Sequence, residues 1–199
     1  MKIRRHLFIG FKSTRAIPVR DHLTRDFLIQ STLDGGVRRI DYQAGLRAEE
    51  HIVPAGVVIL DRCDGRFAVD IVEARAAYEM AAGVLEKVAL ARNCAGIMEV
   101  KAADIRGEPH CSAAREVWGY RSVHVHGDDR CRIIEALQME GPIELGRLER
   151  RVCTRGDARA TLYALACEGS LELDLSEGLR DECMVRAGQF GFVMSAYGT

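Results

Sequence analysis

Glu73 and Arg75 stand two apart at the end of the apolar run "FAVDIVEARAA", residues 67–77. A Glu-x-Lys pair at a strand end can do hydrolytic chemistry. The carboxylate holds a divalent cation that lowers the pKa of bound water, and the lysine helps position or activate that water. Here arginine stands in the lysine's place. A guanidinium with a pKa above ~12 keeps its proton, so Arg75 supplies a fixed positive charge and no proton exchange. Paired with Glu73, it would make a buried ion pair instead of a metal site.

Other residues offer the same chemistry less well. Asp70 lies three positions before Glu73 on the same strand, so the two carboxylates face opposite ways unless a bulge intervenes. Glu99-Val100-Lys101 spells the missing Glu-x-Lys, but a three-residue pattern arises easily by chance in a charged sequence. The seven cysteines are scattered, odd in number and never spaced C-x-x-C. That argues against a zinc site or a disulfide framework and fits small apolar side chains in a reducing compartment. His124 and His126 in "SVHVH" would share one face of a strand, and His110 adjoins Cys111. With no carboxylate or second cysteine at a familiar spacing, they read as surface or core histidines.

The elements that must position these residues follow from periodicity. "VRDHLTRDFLIQSTLD" places Leu23, Phe27 and Leu28 at helical spacing before a Gly-Gly stop, which gives a helix over 21–33. "VRRIDYQAGLRAEEHIV" reads as extended, with Val37, Ile40 and Tyr42 as core positions. A strand, a tight turn on Asp64-Gly65 and a second strand make a hairpin. The spacing predicts a helix over 76–92, a strand at "GIMEVKA", a helix at "SAAREVWGY" and a strand at "SVHVH". These elements together form an α/β sandwich.

"HGDDR", 126–130, then reads as a linker. Beyond it come three short amphipathic helices, broken at Gly141-Pro142 and at 154–156, and two short strands, "LELDL" and "CMVRA". Three helices and a two-stranded wing form a winged helix-turn-helix. The expected organisation is therefore a domain over 1–126 and a winged-helix domain over 127–199. Of the winged helix's recognition helix, about 157–168, Arg159 and Tyr163 are expected to face outward.

Charge divides the same way. Residues 1–126 carry 19 Lys and Arg against 16 Asp and Glu, and 127–199 carry 9 against 13. The first 25 residues hold seven basic side chains, Lys2, Arg4, Arg5, Lys12, Arg15, Arg20 and Arg25, and one acidic, Asp21. Such an arm can lie along phosphate, because Lys and Arg displace condensed counterions. The acidic half opposes docking on DNA and fits a protein partner. No apolar run approaches the ~18 residues of a membrane span, and the start lacks a signal peptide's apolar core. A cytoplasmic protein with no membrane partner is expected.

With these elements placed, the chain resembles the TnsA-type transposon endonucleases, a branch of the restriction-endonuclease-like superfamily. The carriers are "LTRDFLIQSTLDGGVRRIDYQA", in which Gln43 matches a recurrent Gln, the hairpin ending in "VEAR", the block "VKAADIRGEPHCSAAREVWGYRS" and the segment "ALACEGSLELDL". The resemblance covers nearly the whole length. It implies a restriction-endonuclease-like α/β/α core followed by the winged-helix domain.

Chemistry in that superfamily needs a Glu on the first helix, an Asp at the start of the hairpin and Glu-x-Lys on its second strand. The helix Glu falls on Thr24 and the Asp on Ala55, so of three acidic ligands only Glu73 remains, and Arg75 replaces the lysine. Asp26 does not substitute for Thr24, because two helical positions differ by about 200° around the axis. Mg²⁺ is usually anchored by one or two carboxylates plus waters and phosphate, and too little negative charge remains to hold it. Glu99-x-Lys101 matches a peripheral turn of the family.

The expectation is thus a catalytically inactive TnsA-like protein with no metal or cofactor. It acts as a DNA- or protein-binding accessory or regulatory factor of a mobile element, or as a domesticated host derivative. Its DNA contacts would come from Lys2, Arg4, Arg5, Lys12, Arg15, Arg20 and Gln43. Its protein partner would meet the acidic winged helix, which the resemblance associates with partner transposition proteins. The alternatives are a Mg²⁺-dependent DNA endonuclease with displaced ligands and a transcriptional regulator reading DNA through the winged helix.

Overall fold

The computed structural model describes residues 6–19, 21–48, 51–73 and 83–188, with the backbone alone at 6, 46–48 and 51–55. The chain is mixed α/β and divides into two compact units, Met1–Ser31 with Gly36–Arg106, and Thr32–Gly35 with Gly107–Thr199. Among the described residues no helix is long and apolar enough to cross a membrane.

In the first unit, β1 (His6–Phe8) and β2 (Ile17–Val19) pair antiparallel as a sheet of their own. Helix α1 (His22–Leu33) begins where the Asp21 carboxylate accepts the Thr24 N–H at 2.7 Å, which satisfies one donor of the open first turn. It buries Leu23, Phe27 and Leu28, the positions its periodicity marks. A four-stranded sheet comes next, in the order β3 (Val37–Ala48), β4 (His51–Arg62), β5 (Gly65–Ile71), β6 (Gly96–Val100). The first three strands are antiparallel and β6 is parallel to β5. A parallel neighbour cannot be reached by a tight turn. Helix α2 (Val84–Ala91) lies between them in sequence, and its Val84, Val88 and Ala89 pack on Val57, Ile59 and Ala68 of the sheet.

The hairpin turn is offset by one residue from the sequence expectation. Arg62 pairs with Gly65, so Cys63 and Asp64 form the loop and Gly65 opens β5 at φ 145°, a backbone angle that glycine alone adopts without strain. The loop is closed by Arg62 Nε donating to Asp64 Oδ1 at 3.1 Å. The outer edge of β3 is capped at Ile40, whose N–H donates to Lys12 O at 2.8 Å and whose carbonyl accepts the Thr14 N–H at 2.9 Å.

The β3–β4 ladder carries one irregularity here. Gln43 pairs with Val57, and the next pair is Gly45 with Pro54, so Ala55 and Gly56 together oppose Ala44. This is a bulge, with Gly56 in the left-handed region at φ 64°.

The second unit contains α4 (His110–Gly119), α5 (Gly127–Glu140), α6 (Leu145–Arg151) and α7 (Ala158–Cys167). Its three-stranded antiparallel sheet runs β7 (Ile143–Glu144), β9 (Met184–Ala187), β8 (Leu171–Leu173). The helix breaks fall at the expected Gly141-Pro142 and 154–156. Helix α7 is the centre: Leu162, Tyr163, Ala164, Leu165, Ala166 and Cys167 are all buried, against α4, α6 and β8.

Two expected elements differ. "SVHVH" forms no strand; 123–126 is irregular, and the exposed His124 and His126 rings meet edge to face at 5.0 Å. "HGDDR" is the first turn of α5 and no linker. Asp128 and Asp129 read as loop residues in sequence, but carboxylates in a first turn favour the helix by meeting its positive end. The compact units accordingly divide near Arg106 and Gly107, so α4 lies in the second unit. Of the helix expected over 76–92, the part before residue 83 lies outside the described residues.

Candidate nucleic-acid interface

The positions at which the resemblance places a metal cleft are occupied by local structure. Glu73 follows β5 in a short turn, exposed, and its Oε2 accepts the Ala102 N–H at 2.8 Å, at the start of α3 (Ala102–Ile105). The Thr24 hydroxyl donates to Asp21 Oδ2 at 2.9 Å. Both oxygens of Asp21 are thus bound to the first turn of the helix they cap. Ala55 is the first of the two bulge residues. Arg75 lies outside the described residues, and with it the Glu73–Arg75 ion pair.

The residues weighed as substitutes divide between strand and helix. Asp70 is buried within β5, and Asp26 is buried on α1. Glu99 is exposed on β6 in register with Asp70, so these two carboxylates share a face of the sheet. Lys101 follows on the exposed end of that strand, where its N–H donates to Asp104 Oδ2 at 3.3 Å. Among the described residues no three His, Cys, Asp or Glu side chains converge as a metal-ligand group. At the three positions the resemblance singles out stand one carboxylate whose Oε2 accepts a backbone N–H, a threonine hydroxyl already hydrogen-bonded to Asp21, and an alanine.

The residues expected on DNA separate into three kinds. Lys2, Arg4, Arg5 and Arg20 lie outside the described residues. Lys12 is buried, its backbone joined to the edge of β3. Gln43 is half-buried, and its amide donates to Gly45 O two residues along the same strand, across the bulge. That bond braces the ladder where Ala55 and Gly56 leave it.

Arg15 is 60% exposed and belongs to a network that the sequence does not announce. Its Nε lies 3.4 Å from Asp41 Oδ1 on β3. Asp41 is buried, yet it also accepts the Thr14 hydroxyl and its neighbour Tyr42 N–H, each at 2.8 Å, and Arg92 Nη2. Burial alone would raise the Asp41 carboxyl. The bonds from Tyr42 and Thr14 and the charges of Arg92 and Arg15 outweigh it and hold the carboxyl below its usual range.

Arg92 ends α2, and its carbonyl accepts Arg66 Nη1 at 3.2 Å. Arg66 Nη2 donates to Asp61 Oδ2 at 3.0 Å. Three arginines from an N-terminal segment, the hairpin and α2 thus meet around two aspartates.

In the second unit one of the two expected outward residues is buried, and the other, partly exposed, is held by carboxylates. Tyr163 is 1% exposed, its ring against Tyr120 at 5.2 Å, and desolvation pushes its hydroxyl up to about 12. Arg159 is bound by Glu149 Oε2, at 2.9 Å from Nε and 2.6 Å from Nη2, and by Asp181 Oδ1 at 2.5 Å. The signal for this was present: from Ala160 to Cys167 the sequence has no charged residue, and a helix apolar all round is a core helix.

One surface feature escaped the sequence reading. Leu7, Ile9 and Phe11 are 59%, 68% and 55% exposed, at alternate positions, while Phe8 and Gly10 between them and Lys12 after them are buried.

No protein-family model matches the chain, and no curated protein matches it significantly.

Proposed function

We propose that this chain is a TnsA-like, nuclease-related scaffold that acts by binding rather than by cleaving, as an accessory or regulatory factor of a mobile element. Its first unit would hold the nucleic-acid backbone through basic side chains. The observation that carries the reading is the use of Glu73: the one acidic position retained from the family's set spends an oxygen on the Ala102 N–H. The order of elements is compatible with it: a helix, a strand and a hairpin precede the turn that carries Glu73. Neighbouring transposase or AAA+ ATPase genes would favour the mobile element over a domesticated descendant.

The test is incubation of supercoiled and linear DNA with Mg²⁺ or Mn²⁺. Salt-sensitive retention of DNA without cleavage supports the reading. Divalent-dependent cleavage that disappears in Glu73→Ala overturns it.

A second reading, an endonuclease with displaced ligands, draws on the shared face of Asp70 and Glu99 and on Lys101 two residues further along. It requires cleavage that survives Glu73→Ala and is lost in Glu99→Ala.

A further inference from the structure

The Arg15, Arg66 and Arg92 cluster is built differently from a solvated basic surface. Exposed arginines wave freely, and much of any contact they make is offset by the rotamer freedom they lose. Here Asp41, 2% exposed, binds Arg92 by a hydrogen bond and draws the more exposed Arg15 to ion-pair distance, and Asp61 fixes Arg66 beside them. Arg39, exposed on β3, is in register with Asp61, which is in register with Arg66, so all three lie across one face of neighbouring strands. Four guanidiniums therefore face two carboxylates.

The cluster is also short of acceptors. Among the described residues, the buried side-chain nitrogens and oxygens without a hydrogen-bond partner are Arg66 Nε and Arg92 Nε. Arg66 Nε does lie 3.0 Å from Asp61 Oδ1, an ion-pair distance, but it makes no hydrogen bond there. Unsatisfied buried donors are rare in folded proteins, and the two residues that carry these are joined where Arg66 Nη1 donates to the Arg92 carbonyl.

We propose that Arg15, Arg66 and Arg92, with Arg39, form a preorganised contact for the phosphodiester backbone of nucleic acid. Planar guanidiniums match phosphate oxygens with paired N–H donors, and side chains already held in place lose little freedom on binding. The contact is to phosphate and carries no base recognition. It rests on the DNA-binding reading above and names the surface that does the binding.

The test measures binding of a fluorescent random-sequence duplex between 50 and 200 mM NaCl for wild type, Arg15→Ala, Arg66→Gln and a control on α2, Lys87→Ala, with circular dichroism confirming the fold. Each cluster variant should weaken binding uniformly across sequences and lower the slope of log affinity against log salt by about 1, while the control leaves it unchanged. If wild type binds and both cluster variants keep its slope, the assignment is wrong and the DNA-binding reading stands. If wild type shows no binding at 50 mM, both fail.

Discussion

In the first unit one buried carboxylate, Asp41, holds two guanidiniums, whereas in the second one guanidinium, Arg159, is held by two carboxylates. The same chemistry leaves opposite surpluses of charge. Around Asp41 the surplus is positive and reaches solvent through Arg15; around Arg159 the two bound carboxylates outnumber the guanidinium, and Arg150 offsets part of the charge of Asp181, which is 57% exposed. Whole-unit composition has the same sign. The first unit carries 17 Lys and Arg against 13 Asp and Glu, the second 11 against 16. A polyanion approaching this chain is thus drawn by one unit and repelled by the other, so the arginine to test for DNA contact is the one whose neighbours under-neutralise it.

The strongest way to break that contrast is to show that α7 is a surface helix. Leu165 is fully buried on it, and a core leucine truncated to alanine leaves a cavity. Leu165→Ala should cost about 2–5 kcal/mol in urea denaturation. A cost below about 0.5 kcal/mol, the range of surface substitutions, would mean that the helix is free to meet a partner.

Next in size is Asp41→Asn. It keeps the shape and removes the charge that two arginines share. The expected loss is about 2–3 kcal/mol, less than the ~3–5 of a fully buried broken pair because Arg92 is 30% exposed. The sign of the pH dependence follows from a folded carboxyl held below its unfolded value: its contribution is complete above about pH 4 and is lost as pH falls through the folded pKa. Between pH 6 and 3 the urea midpoint of wild type should fall more steeply than that of Asp41→Asn. Parallel curves would remove Asp41 as the organiser of the cluster.

Sequence pattern reached far into the fold and only part of the way into the site. Apolar runs on either side of Asp64-Gly65 and helical spacing at Leu23, Phe27 and Leu28 mark the hairpin and α1, because both are local signals. The error at 126–130 was local as well: Gly127-Asp128-Asp129 suits a loop and a helix start equally, and the choice turns on whether the next ten residues keep a helical period. That α4 falls in the second compact unit has a different, non-local cause. Its partner is α7, and the Val117 carbonyl meets Cys167 Sγ at 3.4 Å across fifty positions of sequence. Nothing in "RRIDYQ" says that Asp41 will collect Arg15 and Arg92, since ion pairs between distant segments carry no spacing rule.

The smallest effect decides whether the second unit reads DNA. Arg159 sits on α7 with its side chain 35% exposed, and its pair with Glu149 is of the partly exposed kind worth at most about 1 kcal/mol. Arg159→Ala should therefore barely move the denaturation midpoint. A helix that reads DNA through this arginine would lose about 1–3 kcal/mol of specific binding on the same change. The network predicts the reverse. With Nη2 and Nε committed to carboxylates, Arg159 turns toward a phosphate only by breaking bonds it already makes, and Glu149 and Asp181 set two negative charges beside any phosphate that reached it. DNA affinity measured by anisotropy at 50 mM salt should be unchanged in Arg159→Ala and reduced in Arg15→Ala. Equal losses in both would dissolve the distinction between the two units.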